Sequence, residues 1–174
     1  MTTEFSLIGK LEEHSAAAES LAALAGSIRE KSYAADGTIV QQGDHAPQIF
    51  FLKSGLVKLV YLTPDGREFI KSFIDAGALV GSLVSLLEGG AATFSIICLE
   101  PAKVEMIPYA VLARLADQDG AILRFISALY QNLALRKEIR EHDFLCLTAA
   151  QRYRNFLQNQ PNLAGRITPA DSSS

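Results

Sequence analysis

The run Gly55-Leu-Val-Lys-Leu-Val-Tyr-Leu62-Thr-Pro64-Asp-Gly66-Arg67-Glu-Phe-Ile-Lys-Ser-Phe-Ile74 decides the fold class. Its middle is a turn: proline presets φ, aspartate tolerates the next position, and glycine accepts φ > 0. The turn predicts a hairpin joining Leu56–Leu62 to Arg67–Ile74. Val57, Leu59 and Tyr61 fall on one face of the first strand, Val60 and Leu62 on the other. Apolar residues on both faces point to a closed or covered sheet. Working outward, Ala35-Asp-Gly37, Gly43-Asp44, Ser54-Gly55, Asp75-Ala-Gly77 and Glu88-Gly-Gly90 punctuate the chain from Arg29 to Pro108. Turn signals every eight to twelve residues or so mark an all-β sandwich or barrel.

Helical texture flanks this β region. Ser15 to Ser27 is alanine-rich, with Leu21, Leu24 and Ile28 at helical spacing, and predicts a short helix. After Pro108 a stripe of Ile122, Phe125, Ile126, Leu129 and Leu133 recurs at intervals of three and four, and Leu135 and Ile139 continue it slightly rotated. No Gly or Pro interrupts Ala121 to Asn159, so one long helix and a successor are expected. Thr148-Ala-Ala-Gln151 fits a capping box that starts the successor, which runs to about Gln160, before Pro161. The long helix bears more apolar surface than a small barrel covers. Ile122, Ile126, Leu129, Leu133 and Ile139 are therefore the expected interface of a homodimer, against the plainer reading that the stripe packs on the barrel.

Composition narrows the function classes. With 174 residues, 49% of them hydrophobic and 20% charged, the chain has the proportions of one globular domain with a short appendage. A formal charge of −3 gives no bulk attraction to nucleic acid. Arg136, Lys137, Arg140, Arg152 and Arg154 read as a solvated face balanced by Glu138, Glu141 and Asp143, the alternative being a local approach to DNA phosphates. Cys98 and Cys146 are too few for a disulfide scaffold or a four-cysteine cluster, and are expected to be buried thiols in a reducing cytoplasm. His14, His45 and His142 are scattered, so neither a haem ligand set nor a cupin-type metal site is expected. No G-x-S-x-G elbow occurs, and no enzyme, metal or cofactor is expected. The N-terminus lacks the pattern of a signal peptide, and no apolar stretch is long enough to span a membrane.

The order of the punctuation carries a resemblance. Ile39-Val-Gln-Gln-Gly43-Asp44, then Ile49-Phe-Phe-Leu-Lys-Ser-Gly55-Leu-Val-Lys58, then Pro64-Asp-Gly66-Arg-Glu68, then Gly77-Ala-Leu-Val-Gly81-Ser-Leu83 resembles the cyclic-nucleotide-binding β-roll. The helices behind it, with Arg152-Tyr-Arg-Asn-Phe-Leu157, resemble those of the Crp/Fnr family of bacterial transcription regulators. The resemblance implies a mainly β fold with flanking helices, a double-stranded β-roll followed by a long dimerisation helix. It divides the chain into an effector domain over residues 1–117, a dimerisation helix over 118–146 and the start of a DNA-binding domain over 147–174. It also implies a cytoplasmic homodimer that takes a small-molecule effector, and that reads DNA only where a complete helix-turn-helix is present. Ile167-Thr-Pro-Ala-Asp171 resembles the approach to such a motif, and Pro161 to Ser174 cannot supply its recognition helix. The segment is therefore expected to be a truncated regulator or a stand-alone sensor.

Within the resemblance, Gly77 to Ile97 aligns with the phosphate-binding cassette. Nucleotide-binding relatives carry Glu after the cassette glycine, for the ribose hydroxyl, and later an Arg followed by Ser or Thr, for the phosphate. Here the glycine is Gly81, followed by Ser82 and Leu83, and the Arg position is Ala92, followed by Thr93. The purine-facing positions fall on Lys137 and Glu138. Losing a charged partner of a desolvated anion costs ~2–5 kcal/mol, which is roughly two to three orders of magnitude in affinity. The resemblance thus implies a roll not tuned to cyclic AMP. Either the cassette persists as a folding element, or Gly81, Ser82, Leu83, Ala92, Thr93, Lys137 and Glu138 serve a different effector. Two other classes stay open: a stand-alone cyclic-nucleotide-binding-like module acting through a protein partner, and a cupin-type enzyme.

Overall fold

A computed structural model describes residues 5–167. In chain order its elements are α1 (Leu7–Glu13), α2 (Ala18–Ala25), β1 (Arg29–Tyr33), β2 (Thr38–Val40), β3 (Gln48–Ser54), β4 (Leu56–Leu62), β5 (Glu68–Asp75), β6 (Leu79–Val80), α3 (Leu83–Glu88), β7 (Ser95–Cys98), β8 (Ala102–Pro108), α4 (Tyr109–Ala116), α5 (Gly120–Cys146), α6 (Ala149–Asn159) and α7 (Pro161–Ala164). They form two compact units that divide between Phe125 and Ile126, inside α5.

The first unit holds two four-stranded antiparallel sheets, ordered β1-β8-β3-β6 and β2-β7-β4-β5. The core draws Phe50, Leu52 and Val104 from one sheet and Val57, Leu59, Ile96 and Cys98 from the other. The hairpin forms where the sequence places it. Thr63 and Arg67 close the turn through an N–H to O=C bond of 2.9 Å, and Gly66 sits at φ +84. Strand β4 is buried on both faces, at Leu56, Val57, Leu59 and Val60, as its two-sided apolar pattern requires. Its partner β5 is an edge strand in which only Ile74 is buried. Gly55, between β3 and β4, has φ +93, and a Cβ there would stand 2.6 Å from the Pro101 carbonyl oxygen. Only glycine fits that approach.

The N-terminal flank differs from the single helix expected over Ser15 to Ser27. Ser15 sits at φ +62, outside helical geometry, so α2 begins only at Ala18. A second helix, α1, precedes it: Ser6 caps it by accepting the Gly9 N–H at 3.0 Å, and Leu7 and Leu11 are buried. The buried Glu105 carboxylate on β8 accepts the Leu7 N–H at 2.9 Å and faces the Lys53 ammonium at 3.9 Å. A second carboxylate, Asp119, accepts from Ala17 at 2.8 Å and from Ala121 at 2.9 Å, joining the start of α2 to the first turn of α5. These two N–H donors hold its carboxyl below the usual carboxylate range.

The second unit contains the rest of α5, then α6 and α7. The capping box forms as expected: the Gln151 N–H donates to Thr148 Oγ1 at 3.3 Å, and the Thr148 N–H donates to Gln151 Oε1 at 2.8 Å. Pro161 ends α6 but opens a short further turn, α7, because proline is well tolerated at a first helical position. The stretch resembling the approach to a helix-turn-helix lies mostly outside the described residues, which end at Ile167.

Candidate functional site: the turn between β6 and β7

Gly81, Ser82, Leu83, Ala92 and Thr93 come together around the short helix α3 and the loop that returns from it. Ser82 occupies the residue before α3 but makes no side-chain cap to that helix. Its hydroxyl instead accepts the Thr93 N–H at 3.3 Å, while its carbonyl accepts the Leu86 N–H at 2.9 Å. Ser82 thus braces one side of the turn against the other. Three residues on, the buried Ser85 hydroxyl accepts the Ala46 N–H at 2.9 Å. A Cβ at Gly81 would approach Leu86 Cδ1 to 3.0 Å, so a larger residue there would press on α3.

Ala92 is 2% exposed, and both of its backbone groups are in use. Its N–H donates to the Asp44 carbonyl at 2.7 Å, and its carbonyl accepts the Gly43 N–H at 2.8 Å. With Thr93 N–H committed to Ser82, neither the Ala92 nor the Thr93 amide is left to receive an anion. The cassette turn is stitched by hydrogen bonds internal to the roll.

A cation nevertheless stands nearby, one that the sequence did not single out. Lys71 on β5 places its ammonium 4.0 Å from the Phe94 ring centroid and 5.9 Å from that of Tyr61. The two rings meet edge to face at 6.3 Å. Phe94 belongs to the core, Tyr61 packs against it, and Phe94 directly follows Thr93. The only sequence signal was a lysine set in the apolar run Phe69-Ile-Lys71-Ser-Phe73, which alternation alone would have turned to solvent.

Lys137 and Glu138 lie on α5 in the second unit and are exposed. Among the expected interface residues, Ile122 is 0% exposed and Ile126 is buried, so Ile122 has no surface to offer a second copy. Leu129 is half-buried. Leu133 and Ile139 are open to solvent, as are Leu135, Phe144 and Leu145.

The expectation of two buried thiols holds for Cys98 and fails for Cys146, which is exposed at the end of α5. Burial pushes the Cys98 thiol up to about 11. His14 has a local partner that its sequence position did not reveal. Its Nδ1 lies 2.8 Å from the Lys10 carbonyl, and its ring meets Phe125 edge-on at 5.2 Å. Among the basic residues, Arg152 donates to the Leu147 carbonyl at 2.8 Å and lies over the Phe144 ring. Among the described residues, no cluster of three or more His, Cys, Asp or Glu side chains could hold a metal ion. None of their helices is long and apolar enough to cross a membrane.

Comparison with known proteins follows the same outline. The family described as "Cyclic nucleotide-binding domain" matches residues 30–119. The cAMP-activated global transcriptional regulator Vfr of Pseudomonas aeruginosa is 30% identical over 122 residues, which make up 68% of this chain and 56% of Vfr. The cAMP-activated global transcriptional regulator CRP of Escherichia coli is 25% identical over 96 residues, 55% of this chain and 46% of CRP. The chain therefore spans about half the length of the curated relatives it matches. Among solved structures, FixK2 from Bradyrhizobium japonicum superposes with a TM-score of 0.71 at 21% identity, covering 83% of this chain and 75% of that one. The sensor domain of the transcriptional regulator DNR from Pseudomonas aeruginosa gives 0.62 at 19% identity, over 74% of this chain and 85% of that one. At these identities the superpositions speak to the fold.

Proposed function

Since this chain belongs to the cyclic nucleotide-binding domain family, we propose that it is the effector-sensing and dimerisation part of a Crp/Fnr-like transcription regulator, one not tuned to cyclic AMP. The observation that carries the reading is the order of parts. A family-matched β-roll runs through α4 into a 27-residue helix, α5, and then into the separately capped helix α6. The cAMP-activated global transcriptional regulators Vfr and CRP bear likeness to this chain over 122 and 96 residues. Leu129, Leu133 and Ile139 on α5 supply apolar surface for a second copy, while Ile122 serves the interior of the monomer. The divisions remain those of an effector domain over residues 1–117, a dimerisation helix over 118–146 and the start of a DNA-binding domain over 147–174. The role is that of a non-enzymatic cytoplasmic regulator.

In this mechanism an effector in the roll near Gly81–Leu83 and Ala92–Thr93 favours one packing of the paired long helices over another. The hinge around Asp143–Thr148, which includes the break between α5 and α6 at Leu147 and Thr148, passes that difference on to the DNA-binding part. Such coupling needs unequal effector affinity in the two dimer states, because a ligand shifts an equilibrium only by its differential affinity.

Light scattering at micromolar concentration tests the dimer, with twice the 18.8 kDa chain mass expected. Leu129→Asp with Leu133→Asp halves that mass, and a monomeric wild type would sink the reading. Calorimetric titration tests the tuning: cyclic AMP binding in the submillimolar range contradicts it.

A further inference from the structure

The cassette lacks its arginine at Ala92, yet the fold brings a cation into the roll by another route. Opposite β4, strand β5 carries one extra residue: Ser72 pairs with Leu59 and Ile70 pairs with Val60, so Lys71 is the extra residue of a bulge. Ile74 and Ser72 oppose Val57 and Leu59, both core residues, so strict alternation would send Lys71 to the outer face. A bulge bends its strand and re-aims a side chain. Here it turns the Lys71 ammonium inward, over the core ring of Phe94 and beside Tyr61. Phe94 is joined directly to Thr93, whose N–H is bound by Ser82, so the ammonium stands next to the cassette turn.

We propose that Lys71 is the anion-binding residue of the effector site, and that the effector is a small organic anion, a carboxylate on an apolar or aromatic body. The proposal rests on the effector-sensing reading above and names the ligand chemistry of that site. An acidic group reaching Lys71 gains a charge-assisted hydrogen bond in a partly desolvated setting. Phe94 and Tyr61 offer the adjoining body apolar ring surface. The arrangement differs from an arginine held in the cassette itself: the charge comes from the opposite strand, and its place depends on the bulge.

The test titrates the 174-residue chain with benzoate, its neutral isostere benzamide and inorganic phosphate, following backbone amide shifts at Thr93 and Phe94 and heats of binding. Saturable benzoate binding is expected, with benzamide and inorganic phosphate each weaker. Lys71→Met should weaken benzoate by about tenfold or more, the loss of one charged partner, and leave benzamide unchanged. Lys71→Arg should restore most of the affinity. The benzamide arm and the thermal midpoint of Lys71→Met separate a lost charge from a damaged roll. Equal benzoate affinity in wild type and Lys71→Met overturns the Lys71 assignment, and so does a wild-type titration that moves neither amide. Neither result touches the dimerisation reading, which the mass of the Leu129/Leu133 variant decides separately.

Discussion

The roll and the far half of α5 use the same kinds of residue to opposite ends. In the roll, apolar side chains from two sheets close over one another, and Leu52, Val57, Ile96 and Val104 lose essentially all contact with water. Along α5, every residue from Gln131 to His142 is exposed, leucines and isoleucine included, and beyond them Leu145 is 75% exposed. A soluble protein seldom leaves a long run of apolar side chains open unless something covers it. The roll closes its apolar side chains within one chain, whereas the far half of the helix leaves Leu133, Leu135 and Ile139 open. That contrast separates residues that hold the fold from residues kept available, and it can be pressed by substitution.

The largest effect belongs to the interior. Phe51→Ala, at a fully buried ring, should cost ~3–5 kcal/mol in denaturant unfolding, the range for aromatic truncation in a packed core. A cost below about 1 kcal/mol would mean that the roll is far looser than its burial states. Next comes the start of α6. Thr148→Ala removes the hydroxyl that accepts the Gln151 N–H and should destabilise that helix by about 1 kcal/mol. Faster hydrogen exchange confined to α6, with the β4 and β8 amides unchanged, is the expected pattern. On the arm itself, Leu133→Asp with Ile139→Asp should change the folding stability of the isolated chain by no more than about 0.5 kcal/mol, since both sites are exposed. The same pair should abolish association measured by light scattering, and a large folding penalty would place these residues in the core after all.

The smallest perturbation sharpens the comparison without any mutation. Only the thiolate reacts with a disulfide reagent, and burial lifts Cys98 to about 11 while Cys146 lies open. At pH 8 one thiol per chain should label rapidly and the second only on unfolding. Two fast thiols would show that water reaches the roll interior.

What could be read from the sequence was local. The hairpin announced itself through Pro64-Asp-Gly66, and the α6 start through Thr148 and Gln151, because each is specified by neighbours within a few residues. Helix α1 escaped notice because seven residues containing Gly9 carry little periodic signal; its stability comes from buried Leu7 and Leu11 and from Glu105, 98 residues away. The left-handed Ser15 that delays α2 has no sequence signature, since serine seldom adopts that conformation. At the candidate site, the apolar Ala92 was legible in the sequence, whereas the placement of Lys71 was not. Its inward aim depends on a register slip between β4 and β5, and register is a property of two strands together. The exposure of Cys146 was hidden for a similar reason: a residue at a helix end is covered or bare according to what lies beside it.

Helix α5 has a mechanical consequence. Its 27 residues contain no proline, and no glycine after Gly120, so nothing along the shaft is built to bend. At 1.5 Å per residue it is about 40 Å long. Within the second unit, Ile126 to Cys146 span about 30 Å on that rise, so a tilt of about 5° at Ile126 would sweep Cys146 through roughly 2.6 Å. A shaft of this kind turns a small rotation at its root into a displacement longer than a covalent bond at its tip.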